Sequence, residues 1–361
     1  LTKLTDYITD EQLLAGMRRV GAAVENISWL DELADELIAI LYGEGAPAFW
    51  SYCKTKRDAV EETLGEDADC YLAYVFERAF PKLLAIYEER GYPMQVLADT
   101  LADFDVRAAN HRGLTGRAGM DDYNWTALHM TATIFTLGRL QYIFYKNASY
   151  GGRIYRHRQT GELVVVAEEG LAIDDAGFRV IDGEAFRTTL VEANGVIEAH
   201  PIDNGNVLRE RTRLDASEYE CVLRDGDPVI DIHIPASGKL DMEACYASLK
   251  EAWAFGKRYF PEREYRGFIC LSWLLGDEIA ESLSPDSNLA RFAHLFTRCA
   301  SYGNEHPLIY PWIFGMDKKR EAYREHEATT SIQRGARRLL DEGRWYRDRG
   351  GVILPDQLGL S

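Results

Sequence analysis

Several things are missing from this sequence, and each absence removes a class of function. Its 361 residues hold no run approaching 18 uncharged apolar residues, so no membrane-spanning helix is expected. Residues 1–10 carry Lys3, Asp6 and Asp10 and no apolar segment, unlike a signal peptide. The six cysteines (Cys53, Cys70, Cys221, Cys245, Cys270, Cys299) show no C-x-x-C and no paired spacing. They are expected to be reduced thiols, mostly in the core of a cytoplasmic protein, forming neither a disulfide framework nor a zinc site. Positive charge is short: 41 Lys and Arg stand against 58 Asp and Glu, a net charge of −17. Such a surface repels phosphate backbones, so no nucleic-acid partner is expected. H-E-x-x-H, a Walker loop, G-x-S-x-G, internal repeats and low-complexity tracts are all absent, and no metal is expected.

What is present is an ordinary globular composition, 46% hydrophobic and 27% charged, enough for two cores. The first part reads as helical. Leu30, Leu33, Ala34, Leu37, Ile38 and Leu41 form one apolar stripe, with Ser28 as N-cap and Gly43, Gly45 and Pro47 at the end. A second stripe runs from Leu72 to Tyr87, and Pro81 marks a break or a new start. Val96, Leu97, Leu101 and Phe104 continue the pattern. Residues 109–122 read as a loop, and a helix from about Asp122 carries Trp125, Leu128, Ala132 and Phe135.

After Gly138 the period changes. Strands are expected at 139–145, 153–157, 163–167, 178–181, 196–199, 219–223 and 229–234, the last two joined as a hairpin at Asp225-Gly226. A helix over 242–259, a strand over 268–274, a helix over 288–298, a strand over 308–314, a helix over 331–340 and a strand over 351–354 follow. The expected division is 1–137, a helical domain, and 138–361, a parallel α/β arrangement with antiparallel flanks.

Chemistry concentrates near Asp231-Ile232-His233-Ile234-Pro235. Asp231 and His233 share a strand face at the strand's C-terminal end, where α/β sheets place ligands. The alternative is a hydrogen-bonded structural His. Residues two apart on a strand lie about 6.5–7 Å apart, so Asp231 is expected to act on His233 by its field more than by a direct bond. On the next strand, Cys270 or Ser272 could meet His233 as a nucleophile. The apolar run around Cys270 favours an inert thiol. Residues 236–239 link strand to helix and can offer amides to a pyrophosphate, although Asp241 reads as a competing N-cap. Arg139 and Gln141 alternate with Leu140 and Tyr142, so both are expected on one strand face at the domain junction. Asn288, Arg291 and Arg334 are candidates for a polar cluster holding an anion or an internal carboxylate. Thr330-Ser331-Ile332-Gln333 reads as a capping box, Ser284–Asn288 as a helix start, and His129 as a core His. Arg18-x-x-Gly21-x-Ala23 matches an acetyl-CoA loop pattern but lacks a preceding strand.

Five segments together resemble one bacterial family, the acyltransferase-domain-containing proteins. These join a helical N-acyltransferase N-terminal domain to a GNAT-like C-terminal domain. The segments are Phe135–Tyr142, Asp231–Pro235, Ser272–Leu275, Ser284–Phe292 and Thr330–Arg334, in that order. The resemblance covers most of the chain from about Val96 onward. It implies an α+β protein: a helical N-terminal domain followed by a GNAT-like mixed α/β sheet domain. It further implies acyl-CoA as donor co-substrate and a small-molecule amine as acceptor. In GNAT folds CoA lies where two central parallel strands splay apart. Carried over, those strands are Val229–Ile234 and Phe268–Leu274, and Ile234, Ser237, Gly238 and Lys239 would hold CoA. The loop departs from the usual Gln/Arg-x-x-Gly-x-Gly/Ala pattern. For such a direct transfer His233, or a nearby carboxylate such as Glu210, is the expected general base, and Ser272 is the expected proton donor to the thiolate. Arg139, Gln141, Asn288, Arg291 and Arg334 are the candidate acceptor contacts. The alternatives are a non-catalytic GNAT-like module binding a small molecule or a protein, and a Cys270 or Ser272 hydrolase.

Overall fold

The computed structural model describes residues 2–120, 123–181, 185–303, 309–314, 323–324 and 326–360. The chain forms two compact units. One holds the residues up to Ile143 with Ile234–Lys239; the other holds Phe144–His233, Leu240–Phe314 and the C-terminal segment.

The helical unit contains α1 (Glu11–Val24), α2 (Ser28–Gly43), α3 (Ala46–Leu64), α4 (Tyr71–Arg90), α5 (Met94–Leu101), α6 (Asp103–Thr115) and α7 (Tyr123–Met130). The six-residue apolar stripe of α2 is buried throughout, as its spacing requires, but Ser28, expected as N-cap, is the first helical residue behind Ile27 and no side chain caps the helix. Pro81 does not break α4, which runs through it and buries Phe76, Ala79, Phe80 and Leu83. Burial on both sides of the proline outweighs the lost backbone bond. Residues 109–115, expected as loop, extend α6 until Gly116 turns left-handed. Phe135, expected on a helix, lies on β1 (Ile134–Leu137), paired antiparallel with β2 (Leu140–Asn147). The two-residue turn Gly138-Arg139 joins them, and Gly138 has φ 62°, the sign tight hairpins require.

Strand β2 continues past Ile143 into the second unit. There a run of short strands follows: β3 (Gly152–His157), β4 (Leu163–Ala167), β5 (Ala172–Ile173), β6 (Phe186–Arg187), β7 (Leu190–Ala193), β8 (Val196–Ala199), β9 (Ile202–Asp203), β10 (Asn206–Val207), β11 (Thr212–Asp215) and β12 (Tyr219–Leu223). They make two three-stranded sheets, β12-β3-β4 and β11-β8-β7, and two hairpins, β5–β6 and β9–β10. Asp225-Gly226 is a turn but not a hairpin. Its carboxylate accepts from Gly151 N, and β12 pairs with β3. Residues 178–181 form no strand beyond a bridge at Arg179.

The main sheet of this unit is β2-β13-β14-β16-β15, built from β13 (Pro228–His233), β14 (Phe268–Ser272), β15 (Thr297–Cys299) and β16 (Arg349–Ile353). Only β13 and β14 are parallel; β16 runs antiparallel to both β14 and β15. Between them lie α8 (Met242–Tyr259), α9 (Asp277–Ser282), α10 (Asn288–Ala293), α11 (Ile309–Phe314) and α12 (Ser331–Asp341). Residues 309–314, expected as strand, are helical; Leu308 lies outside the described residues, as does Asp122. Asp241 caps α8 by accepting from Ala244 N at 2.9 Å, and Gly256 lets α8 approach Ile230 and Phe144. On the opposite face Val229, Ile269 and Val352 pack with Ile154, Ile202 and Leu223.

Candidate functional site

Strands β13 and β14 pair at Ile230↔Phe268 and Asp231↔Ile269, and among the described residues nowhere beyond. Yet β13 runs on to His233 and β14 to Ser272. The two parallel strands therefore part just after Asp231. Leu271, inside the sheet by sequence, is 52% exposed on this open stretch. It stands opposite Gly350 of β16, and the Tyr150 ring lies against that glycine, 3.1 Å from where a Cβ would be.

Asp231 and His233 project to the same side at the parting point. The gap expected along the strand is closed by the side chains: His233 Nε2 stands 3.3 Å from Asp231 Oδ2. The imidazole is 30% exposed and the carboxylate 11%. Tyr150 lies within reach of the Asp231 charge. Burial, then the Asp231 charge, pushes its hydroxyl well above the usual phenol value, so it stays protonated. Tyr150 was missed in the sequence because it lies in a loop with no motif.

Cys270 belongs to the opposite side of the strand. It is 1% exposed, and burial raises its thiol, the reverse of what a nucleophile needs. Ser272 Oγ accepts from Leu274 N at 3.2 Å and caps the short turn that follows. Glu210 is exposed in the bend after β10, and no described contact brings it to His233.

In the helical unit, Arg139 occupies the hairpin turn, so it shares no strand face with Gln141. Its guanidinium donates to Pro235 O at 3.2 Å, Gly238 O at 3.1 Å and Lys239 O at 2.9 Å. Three carbonyls of the Ile234–Lys239 loop are thus turned toward one cation. Among the described residues, none of the Ala236–Lys239 amides donates to another protein group. Gln141 is 1% exposed and donates to Thr136 Oγ1 at 3.2 Å. Beside it, His129 Nε2 lies 3.3 Å from Asp103 Oδ2, and His129 Nδ1 is 2.9 Å from Trp125 O.

Asn288, Arg291 and Arg334 are not brought together by any contact among the described residues. Asn288 begins α10 behind its Ser287 cap. Arg291 is exposed. Arg334 donates to Thr329 O and Ser331 Oγ at its own helix start, behind the Thr330–Gln333 capping box. No described group of three or more His, Cys, Asp or Glu is arranged to hold a metal, and no described helix is long and apolar enough to cross a membrane.

Residues 10–132 match the N-acyltransferase N-terminal domain family, and residues 134–353 match the GNAT-like C-terminal domain family. No curated protein is significantly similar in sequence. Among solved structures, the fold is shared with an acyltransferase in complex with decanoyl-CoA and teicoplanin. Identity is 22%, with 80% of this chain and 68% of that chain covered and a TM-score of 0.53. An acyltransferase in complex with decanoyl-CoA gives 22% identity, coverage of 81% and 68%, and a TM-score of 0.54.

Proposed function

We propose, from the premise that the chain belongs to the family joining an N-acyltransferase N-terminal domain to a GNAT-like C-terminal domain, that it transfers an acyl group from acyl-CoA to a small-molecule amine. The observation that carries this reading is the parting of β13 and β14 after Asp231, with His233 at the open end. A thioester laid along the exposed β14 edge meets unpaired strand backbone, and its pantetheine passes Leu271. The 236–239 loop, whose carbonyls Arg139 holds, offers its amides to an anion such as a pyrophosphate. The loop thus fits an anion without the usual glycine pattern.

The amine nitrogen attacks the thioester carbon, the new C–N bond forms and the C–S bond breaks. His233 takes the proton from the attacking nitrogen, steadied by Asp231. Tyr150 supplies the proton that the leaving sulfur needs. It is better placed than Ser272, whose oxygen is engaged in capping. The structures in complex with acyl-CoA and with teicoplanin support a CoA thioester as donor and a small molecule as acceptor. Six cysteines outside any disulfide suit the cytoplasm, where CoA thioesters are available. The test is thiol release from acetyl-, octanoyl- and decanoyl-CoA, read with and without a panel of amines. Saturable, amine-dependent release with one of them is expected. Absence of both release and binding with all three favours the non-catalytic module.

A further inference from the structure

In a chain with seventeen excess acidic groups, four arginines gather in the sheet unit with little carboxylate to answer them. Two of them flank Phe178. The Arg349 guanidinium lies 4.2 Å and the Arg347 guanidinium 4.9 Å from its ring centre. Arg179 stacks on Tyr302 at 4.5 Å. Arg298 lies beside the Gly205 turn, which also meets the Arg349 guanidinium.

Their partners are mostly neutral. Arg179 donates to Ser149 O and to Tyr302 Oη, both at 3.2 Å. Arg298 has one long bond, to Phe296 O at 3.5 Å. Arg347 lies on two rings, and its charge acts on the buried Glu278 with no ion pair at contact distance among the described residues. Arg349, 4% exposed, bonds Gly205 O, Asn206 Oδ1 and Asp277 Oδ2. That Asp277 pair, at 3.2 Å, is the single ion pair of the cluster among the described residues, and Asp277 also accepts from Asn204. Among the described residues, the Nε atoms of both Arg298 and Arg349 are buried with no hydrogen-bond partner. Burial lowers both guanidinium groups from their usual range. The remaining carboxylates are Asp348, between two of the arginines in sequence, and Glu278, which burial pushes toward its neutral form. Guanidinium groups desolvated without carboxylates are costly unless an anion arrives.

We propose that Arg298, Arg347 and Arg349 form a subsite for a carboxylate carried by the amine acceptor. The identity of the bearer as acceptor rests on the acyl-transfer reading above; the subsite itself does not. Two further features fit. The cluster is reachable, since Tyr302 is 42% exposed and the Asp277 side chain 38%. It also stands at the right end of the sheet: Arg349 pairs in register with Ser272, the last residue of β14, next to the exposed Leu271. A planar guanidinium fork matches a planar carboxylate with two parallel bonds. The acceptor class is therefore an amino acid or another small amine with an acid group.

The experiment is calorimetric binding on the full chain, using N-acetylglycine, its neutral amide N-acetylglycinamide, inorganic phosphate and acetyl-CoA. Saturable binding of N-acetylglycine, with the amide weaker by about tenfold or more, is expected, since a hydrogen bond to a charged group is worth at least that. Arg298→Gln and Arg347→Gln should each weaken N-acetylglycine about tenfold and leave acetyl-CoA within twofold. If Arg298→Gln fails to fold, Arg347→Gln and the charge-keeping Arg298→Lys decide. Equal binding of acid and amide, unchanged binding in the variants, preference for phosphate, or no saturable binding would each overturn the subsite. Wild-type protein that binds N-acetylglycine but none of acetyl-, octanoyl- and decanoyl-CoA would sink the acyl-transfer reading and leave the subsite standing.

Discussion

Among the described residues two His–Asp pairs stand at the same 3.3 Å separation, one in each unit, beside a third, His111–Asp69 at 3.1 Å, in the helical unit. In the helical unit, His129 is fully buried, its Nδ1 on Trp125 O and its partner Asp103 also held by Arg107 at 2.9 Å. In the sheet unit, His233 is 30% exposed where two strands part. Distance alone does not separate them. The first imidazole has both nitrogens committed and no route for a substrate, so it can only stabilise. The second keeps a face open to whatever enters between the strands, so it can exchange a proton.

Replacing each histidine should therefore give opposite results. His233→Ala should cost about 10²–10⁴-fold in turnover, the usual contribution of a general base, with little change in Tm. Turnover within a few fold of wild type would end the assignment. Asp103→Ala breaks a buried ion pair and should cost about 3–5 kcal/mol, read by denaturant unfolding, while activity per folded molecule is kept. The same pair predicts a pH effect. Burial raises the Asp103 carboxyl, but the bond to His129 and the charges of His129 and Arg107 outweigh it and hold the group below its ordinary value of 3.8. A depressed folded-state value means stability that is present above about pH 4 and lost as pH falls toward the folded value. Asp103→Asn should flatten that acid limb; an unchanged limb would show that other carboxylates set it. Tyr150→Phe should slow turnover about tenfold, and less with thioesters whose thiols are good leaving groups; an equal effect on all thioesters argues for a packing role. The smallest change is expected from Arg139→Ala. Freed from their clamp, the loop carbonyls can turn, so KM for acyl-CoA should rise by about fivefold with kcat nearly unchanged, a loss of about 1 kcal/mol in binding.

Periodicity and capping were legible in the sequence wherever one local force dominates. The α2 stripe, the Asp241 cap, the Thr330–Gln333 box and the Ser287 start all stand as their spacing suggests. The strand ending at His233 was legible for the same reason. Errors came where distant chain decides. Pro81 stays helical because of burial on both sides, and residues 309–314 are helical despite an apolar run that suits a strand equally well. Asp225-Gly226 has hairpin chemistry, yet its strands pair elsewhere. At the site, His233 and Asp231 were visible as neighbours on one face, but their contact depends on side-chain reach. Tyr150 and the arginines gathered near Phe178 come from three separated segments, near 150–179, 298 and 347–349, and no spacing rule could join them.

The sheet is also a constraint on synthesis. Strand β16, residues 349–353, is the last strand of the sequence but sits inside the sheet, between β14 and β15. Until the ribosome has passed it, β14 carries an unpaired edge rich in apolar side chains, and β15 has no partner at all. The helical unit's α1–α7 are complete some two hundred residues earlier and can settle while the second unit waits. A nascent chain stalled between Ser272 and Arg349 therefore exposes the kind of edge that recruits chaperones or other chains.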